Sequence, residues 1–150
     1  MPDRFFEDYQ VGQRWVTRGR TITEADVVNF AGLSGDFFPL HVDEAYARQT
    51  RFGRRVAHGF LVLSVASGLL PARPDAVEAL YGLDRVRFVA PVFIGDTVHV
   101  ELEVTDLRPR EDGSGVVTFQ QTVRKYTGEV VATSVYHLLV RRRPDEGGQT

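Results

Sequence analysis

The pattern of apolar and polar positions divides the chain into two parts of different character. The first part contains an uncharged run, Gly59 to Leu70, which reads GFLVLSVASGLL. Because this run is apolar on every face, it predicts a helix that is buried on all sides and is roughly 18 Å long. From Leu83 onward, long segments rich in Val, Thr, Phe and Tyr alternate with turn signals, which predicts an antiparallel meander of strands.

The predicted strands of the meander are LDRVRFVAPVF, DTVHVELEVTDLRP, VVTFQQTVRK and EVVATSVYHLLVRR. The alternation is cleanest in residues 98–104, where one face is predicted to be buried. That face consists of Val98, Val100, Leu102 and Val104. His99 falls on the opposite face, so we expect it to face solvent. A further strand is predicted over Gln13 to Thr21.

The first part of the chain also predicts two shorter helices. Thr23, followed three residues later by Asp26, is predicted to cap a helix that ends at Gly35. The apolar face of this helix is predicted to consist of Ala25, Val28, Phe30 and Leu33. Asp43 is predicted to cap a second, short helix over Glu44 to Gln49.

The segments that connect these elements have patterns of their own. Pro39 biases Phe38 toward an extended conformation, so Asp36 to His41 is predicted to form an irregular loop and not a helical face. Arg51 to Arg55 is predicted to be an exposed basic connection, and Pro74 to Leu80 to hold a short surface helix.

One buried helix, a set of long antiparallel strands and a strand near the amino terminus predict an α+β fold. In this arrangement, a curved antiparallel sheet wraps around one long buried helix. We expect a single domain over residues 1–143 and a disordered tail over residues 144–150. A sheet of this kind leaves an open edge, which is commonly covered by a second subunit, so we expect a homodimer.

The composition argues against several classes of function. A formal net charge of -2 gives no electrostatic footprint for nucleic acid, and the absence of cysteine excludes disulfides and thiolate nucleophiles. The longest apolar run is shorter than the ~20 residues that cross a bilayer, and the start lacks a signal-peptide pattern, so we expect a cytoplasmic protein. We expect no metal, because no motif of close-spaced histidine and acidic ligands occurs.

The candidate chemistry lies between the first predicted helix and the apolar run. Asp36 precedes His41 by five residues, and the pair His58-Gly59 opens the run. The segment from Gly35 to His41 reads GDFFPLH, with Ala47 further on. It resembles the signature G-D-x-N-P-[LIV]-H-x5-[AS] of the MaoC-like, R-specific enoyl-CoA hydratase family, which has the hot-dog fold. The segments FEDYQVGQ, GRTITEADVVNFAGLSGD and FVAPVFIGDTV also resemble that family.

The resemblance implies a lyase that reversibly hydrates a trans-2-enoyl-CoA to a 3-hydroxyacyl-CoA, with no cofactor beyond the coenzyme A of the substrate. An acyl-carrier-protein thioester stays open as the alternative substrate. Asp36 and His41 would share the activation of one water and the return of its proton. The Gly59 N–H, at the start of the apolar helix, would stabilise the oxyanion of the thioester. His58 and Ser67 would support these groups.

Basic residues near the motif or at the start of the following strand are candidates for binding the coenzyme A phosphates. They are Arg51, Arg54, Arg55, Arg85 and Arg87. None of them stands out from an ordinary surface arginine on sequence grounds.

One departure from the signature keeps two alternatives open. Phe38 stands where the family has Asn, which removes an amide that can donate and accept hydrogen bonds. The first alternative is therefore a subunit that binds an acyl thioester without turnover. The second is a hot-dog thioesterase, against which the absence of Asp or Glu in Gly59 to Leu70 counts.

Overall fold

The computed structural model describes residues 3–144, so the predicted tail lies outside the described residues except for Pro144. The strands are β1 (Arg14–Val16), β2 (Arg20–Thr21), β3 (Val77–Phe88), β4 (Thr97–Pro109), β5 (Ser114–Lys125) and β6 (Val130–Arg141). The helices are α1 (Glu24–Ser34), α2 (Pro39–Val42), α3 (Glu44–Arg48) and α4 (Gly59–Leu69), with a 3-10 turn at Phe6–Asp8. No helix within residues 3–144 is long and apolar enough to cross a membrane.

All six strands form one antiparallel sheet in the order β1-β4-β5-β6-β3, and β2 also pairs with β4. The predicted strands that become β4, β5 and β6 form a meander, as expected. The first predicted strand of that set does not join it in sequence order, because β3 crosses to the far side of β6. The prediction of one strand over Gln13 to Thr21 is also wrong, since this segment forms the separate strands β1 and β2.

Helix α4 lies against the inner face of the sheet, in the α+β arrangement that the sequence predicts. The alternating residues of β4 are confirmed as core: each of the four predicted positions is at most 2% exposed. They meet the buried residues of the helix, which are Leu61, Val62, Val65, Ala66 and Leu69. Burial of this much apolar surface is the main force that holds the sheet around the helix.

Helix α4 is nevertheless not buried on all sides, so that part of the prediction is wrong. Phe60 is 73% exposed, and Ser64 and Ser67 are exposed on the same side of the helix. The reason is geometric, because a single sheet covers only the side of a helix that faces it. The remaining side of α4, together with β3, is left as an open apolar surface.

Two other local predictions are wrong for similar reasons. The buried residues of α1 are Val27 and Ala31, whereas Val28 and Leu33 of the predicted apolar face are exposed. Residues 74–80 form no helix, and β3 already begins at Val77. In both cases, pairing or packing with a distant segment outweighs the local apolar pattern.

Candidate active site

The end of α1 determines the position of Asp36, which follows the helix by two residues. The helix begins with a reciprocal cap: the Asp26 N–H donates to Thr23 Oγ1 at 3.1 Å, and the Thr23 N–H donates to Asp26 Oδ2 at 2.9 Å. It ends at Gly35, whose φ of 76° lies in the left-handed region that suits glycine. The next residue, Asp36, leaves the helix with its N–H donating to Ser34 Oγ.

The segment between Asp36 and His41 is only partly the irregular loop that the sequence predicts. The Phe38 N–H donates to Asp36 Oδ1 at 3.2 Å, which makes a local turn at the carboxylate. Pro39 then occupies the first turn of α2, where its fixed φ favours a helix and its missing N–H costs nothing. His41 therefore lies on a helical turn, and the prediction of a loop fails at this residue.

A backbone carbonyl fixes the orientation and tautomer of His41. The imidazole Nδ1 lies 2.6 Å from the carbonyl oxygen of Val56. Because a carbonyl oxygen only accepts, Nδ1 must carry the hydrogen and donate it. Among the described residues Nε2 has no hydrogen-bond partner, so it is left as an acceptor that can take a proton. The sequence gives no signal for this contact, since any residue at position 56 offers the same carbonyl.

His58 joins the same cluster from the far side. It is 1% exposed, and its Nε2–H donates to the backbone carbonyl of Asp36 at 2.9 Å. Its ring stacks on that of His41, with centroids 3.9 Å apart and planes inclined by 26°. Ligand atoms of Asp36, His41 and His58 all lie within 4.8 Å of one another. The structure thus brings together the Asp36–His41 pair and one of its predicted supporting residues.

Although these three residues are metal-ligand types, their geometry does not suit one ion. Imidazole lone pairs lie in the ring planes, and the nearly parallel planes of His41 and His58 prevent them from converging at the roughly 2.0–2.1 Å of a metal–nitrogen bond. Nδ1 of His41 and Nε2 of His58 are also already engaged by carbonyl groups. The arrangement fits proton transfer better than metal binding.

A cavity of about 280 Å³, here called the His41 cavity, opens beside the pair. Its walls are mainly apolar and are supplied by the segment before α4, by α4 itself, by the end of β3 with the residues that follow it, and by β6. The lining residues are His41, Arg51, Phe52, Val56, Ala57, Gly59, Val62, Phe88, Val89, Ala90, Pro91, Val92 and Val131. Asp36 is exposed and lies next to this cavity without forming part of its wall.

Gly59 brings a backbone N–H into the wall of the His41 cavity. It is the first residue of α4, where an N–H has no intrahelical partner and the helix dipole favours negative charge. Within residues 3–144 this N–H donates to no hydrogen-bond acceptor. A β-carbon at Gly59 would lie 2.8 Å from the ring of Phe88, so only glycine fits without displacing a neighbour.

The predicted phosphate-binding arginines are spread over the surface. Arg51 lines the His41 cavity, with its guanidinium 5.2 Å from the centre of the Phe52 ring. Arg54 lies 4.0 Å from the Phe93 ring centre, and Arg85 and Arg87 are exposed on β3. None of these three is part of the cavity wall.

Arg55 departs from the exposed connection that the sequence predicts, because its side chain is only 14% exposed. The guanidinium forms an ion pair with Glu24 and lies 3.3 Å from Glu44. The hydrogen bond from Arg55 lowers the pKa of Glu24, and the same bond raises the pKa of Arg55. The charge of Arg55 is therefore already paired with carboxylates of α1 and α3.

Ser67 and Phe38 have different relations to the cluster. The Ser67 hydroxyl donates to the carbonyl of Ser64 at 2.8 Å and lines a separate cavity, so it does not contact Asp36 or His41. Phe38 is 51% exposed, and its ring lies edge-on to His41 with centroids 6.0 Å apart. A ring thus flanks the imidazole where the family signature has an amide.

The chain matches the family model described as MaoC like domain over residues 8–127. A relative called (R)-specific enoyl-CoA hydratase, from Rhodospirillum rubrum, is 40% identical over 139 residues, which cover 93% of each chain. Protein MaoC of Klebsiella aerogenes is 47% identical over 100 residues, but the match spans only 30% of that longer protein and 66% of this chain.

Solved structures agree with the fold. The X-ray structure of a protein from Archaeoglobus fulgius, described as a monoamine oxidase regulatory protein, superposes with a TM-score of 0.88 at 40% identity, covering 95% of this chain and 97% of that one. Rv0216 from Mycobacterium tuberculosis, described as having a double hotdog fold, superposes with a TM-score of 0.85 at 23% identity. That match covers 98% of this chain and 47% of the other, and it supports the predicted hot-dog architecture.

Proposed function

The chain belongs to the MaoC-like domain family, and we propose that it is a hydro-lyase that reversibly hydrates a trans-2-enoyl-CoA to a 3-hydroxyacyl-CoA. The observation that carries this proposal is the placement of Asp36 within 4.8 Å of His41, beside a cavity whose wall also includes Gly59. An acid–base pair and an oxyanion donor are the groups that this reaction needs. The similarity to an enzyme called (R)-specific suggests the R configuration at C3.

The water is activated between Asp36 and His41. His41 Nε2 is free because Nδ1 donates to the Val56 carbonyl, so Nε2 can take a proton from the water while Asp36 orients it. The water oxygen forms a bond to C3, and the electrons of the C2–C3 double bond move onto the thioester as an enolate. A proton then returns from the same pair to C2, which leaves the enzyme unchanged. Each positioned acid or base contributes about 10² to 10⁴ in rate.

The Gly59 N–H stabilises the enolate oxygen. This donor lies at the positive end of α4, and the ring of Phe88 packs closely against the same residue. Removing one such donor typically lowers the rate by about 10² to 10³. The apolar walls of the His41 cavity suit an acyl or pantetheine chain, and Arg51 in that wall is the arginine best placed for a phosphate of coenzyme A.

Phe38 favours a second candidate function, namely binding of an acyl thioester without turnover. The bond that the Phe38 N–H donates to Asp36 is independent of its side chain, so the substitution leaves this backbone support intact. The exposed ring instead places an apolar group beside His41, where the signature has an amide that can donate and accept hydrogen bonds. If the second candidate is correct, Phe38→Asn will create turnover in a protein that otherwise only binds the thioester.

We also propose that the partner is a second copy of this chain. The outer edge of β3 is unpaired within residues 3–144, and the adjoining surface is apolar. Its exposed residues include Phe60, Leu80, Tyr81, Leu83, Phe88 and Val89. Pairing of two such edges would bury this surface. Sedimentation equilibrium should give twice the mass of the chain, and Leu80→Lys should shift the mass toward that of a monomer.

The proposed function is tested by the loss of enoyl-thioester absorbance with crotonyl-CoA and with a longer trans-2-enoyl-CoA. We expect turnover in the wild type and a loss of about 10² to 10⁴ in Asp36→Asn. Asp43→Asn is the matched control, because Asn at this position still caps α3 through Tyr46. Absence of turnover with both substrates, or equal turnover in the wild type and Asp36→Asn, would contradict the proposal.

A further inference from the structure

His58 contacts both proposed catalytic residues, Asp36 and His41, and also Phe30 of α1. Its Nε2–H donates to the Asp36 carbonyl at 2.9 Å, and one face of its ring stacks on His41. The ring of Phe30 packs against it at a tilt of 59°, with centroids 4.9 Å apart. We propose that His58 is a positioning residue that sets the placement of Asp36 relative to His41, an inference that rests on the proposed function.

A purely space-filling role does not account for an imidazole at this position. With the hydrogen on Nε2, Nδ1 is a bare acceptor, and this atom is buried without a hydrogen-bond partner in the described part of the chain. A buried polar atom without a partner is unfavourable, and a phenyl ring would fill similar space without it. The bond from Nε2 to the Asp36 carbonyl is therefore the feature that requires histidine.

This bond anchors the backbone of Asp36, whose carboxylate has little other support. Asp36 is exposed and belongs to a short connection between α1 and α2. Within residues 3–144 its side chain accepts only the local N–H of Phe38, which belongs to the same turn. His58 is 22 residues away in sequence and fully buried, so it ties this turn to the rigid start of α4.

The stack restrains His41 in a different way. The Val56 carbonyl holds only the Nδ1 edge of the imidazole, which leaves the ring able to rock about that bond. His58 covers one face of the ring at 3.9 Å, and Phe38 approaches from another direction at 6.0 Å. Removing the His58 ring would therefore free His41 Nε2 to move relative to the carboxylate.

Two substitutions separate the hydrogen bond to Asp36 from the stack on His41. His58→Phe keeps a ring against His41 and removes the donor to Asp36, whereas His58→Gln keeps an N–H donor and removes the stack. Since misplacement by about 1 Å can cost 10² in rate, we expect each variant to lower kcat by about 10- to 10²-fold with KM within about twofold. Val65→Ala, which thins the packing of the same helix, is the control for a general loss of stability.

A double variant tests whether His58 acts through Asp36. In an Asp36→Asn background, His58→Phe should lower kcat by less than about twofold, because the group that it positions has already lost its function. A further tenfold loss in that background would overturn the link to Asp36. Wild-type kcat in both folded single variants would overturn the proposal as a whole.

Nitrogen-15 NMR of the histidine rings gives a readout that does not depend on turnover. We expect His58 as the Nε2–H tautomer, and a His41 Nδ1 proton that exchanges slowly in the wild type and in His58→Phe but rapidly in His58→Gln. The Nδ1–H tautomer at His58, or equal protection in His58→Gln, would overturn the inference. If the wild type shows this pattern but hydrates no enoyl thioester, the proposed function fails and the positioning contacts stand.

Discussion

The substitution Gly59→Ala tests the proposed oxyanion donor by displacing it. The added methyl would lie 2.8, 2.9 and 3.0 Å from three carbons of the Phe88 ring. Carbon atoms in favourable contact are about 3.5–4.0 Å apart, so either the ring or the start of α4 must move by several tenths of an ångström. The position itself accepts alanine, because the φ of Gly59 is not in the left-handed region.

The expected effect is on activity and not on folding. A displaced N–H loses most of its interaction with the oxyanion, which corresponds to a drop of about 10² to 10³ in kcat, or roughly 2.7–4 kcal/mol. Phe88 lies on the surface that we propose a second copy of the chain covers, where its ring has little room to move, so the start of α4 is expected to shift. Alanine is favoured over glycine in helices by up to about 1 kcal/mol, which offsets part of the strain.

The assay compares steady-state hydration of crotonyl-CoA with thermal unfolding. Gly68→Ala is the matched control: it places the same methyl on α4, where it meets nothing within 4 Å. We expect this variant to keep wild-type kcat with an equal or higher Tm. Adding Phe88→Ala to Gly59→Ala should recover part of the lost kcat, because the methyl then has room.

A Gly59→Ala variant whose kcat stays within about threefold of the wild type would refute this reasoning. The N–H of Gly59 would then have no role in stabilising the oxyanion. Equal losses in Gly59→Ala and Gly68→Ala would instead trace the effect to the general properties of the helix.

Two further predictions concern stability. Burial raises the pKa of Tyr9 to about 12; since an unfolded tyrosine ionises near 10, this contribution of about 2–3 kcal/mol is fully present below pH 10 and is lost as the pH rises toward 12. Urea unfolding at pH 8 and 11 should show a smaller loss in Tyr9→Phe, and an equal loss would contradict the assignment. Thr23→Ala removes the reciprocal cap with Asp26 and should cost about 1 kcal/mol, whereas Thr23→Ser should not; equal urea midpoints for the two would show that the cap contributes nothing.

The predictions from sequence are best where the signal is local. The alternation of β4, the cap at Thr23 and the cap of α3 at Asp43 are confirmed, because each depends on residues within a few positions of one another. The apolar run that becomes α4 was also found from its own composition. Local patterns fix these elements before any distant contact is considered.

The candidate site was only half predictable. The resemblance of GDFFPLH and His58-Gly59 to the family signature selected Asp36, His41 and Gly59 as candidates for the reaction. The contact of His58 with the Asp36 carbonyl and the orientation of His41 by the Val56 carbonyl were not predictable. Backbone carbonyls carry no residue signature, and each contact joins residues at least 15 positions apart.

The sequence by itself therefore determined the apolar helix α4, the meander of β4, β5 and β6, and the candidate residues for the proposed reaction. Only the tertiary structure decided that β3 pairs with β6, that one side of α4 stays open, and that Arg55 serves an ion pair. The physical reason is the range of the interactions. Periodicity and capping act over one or two turns, whereas strand order, burial and side-chain partners depend on which distant segments meet.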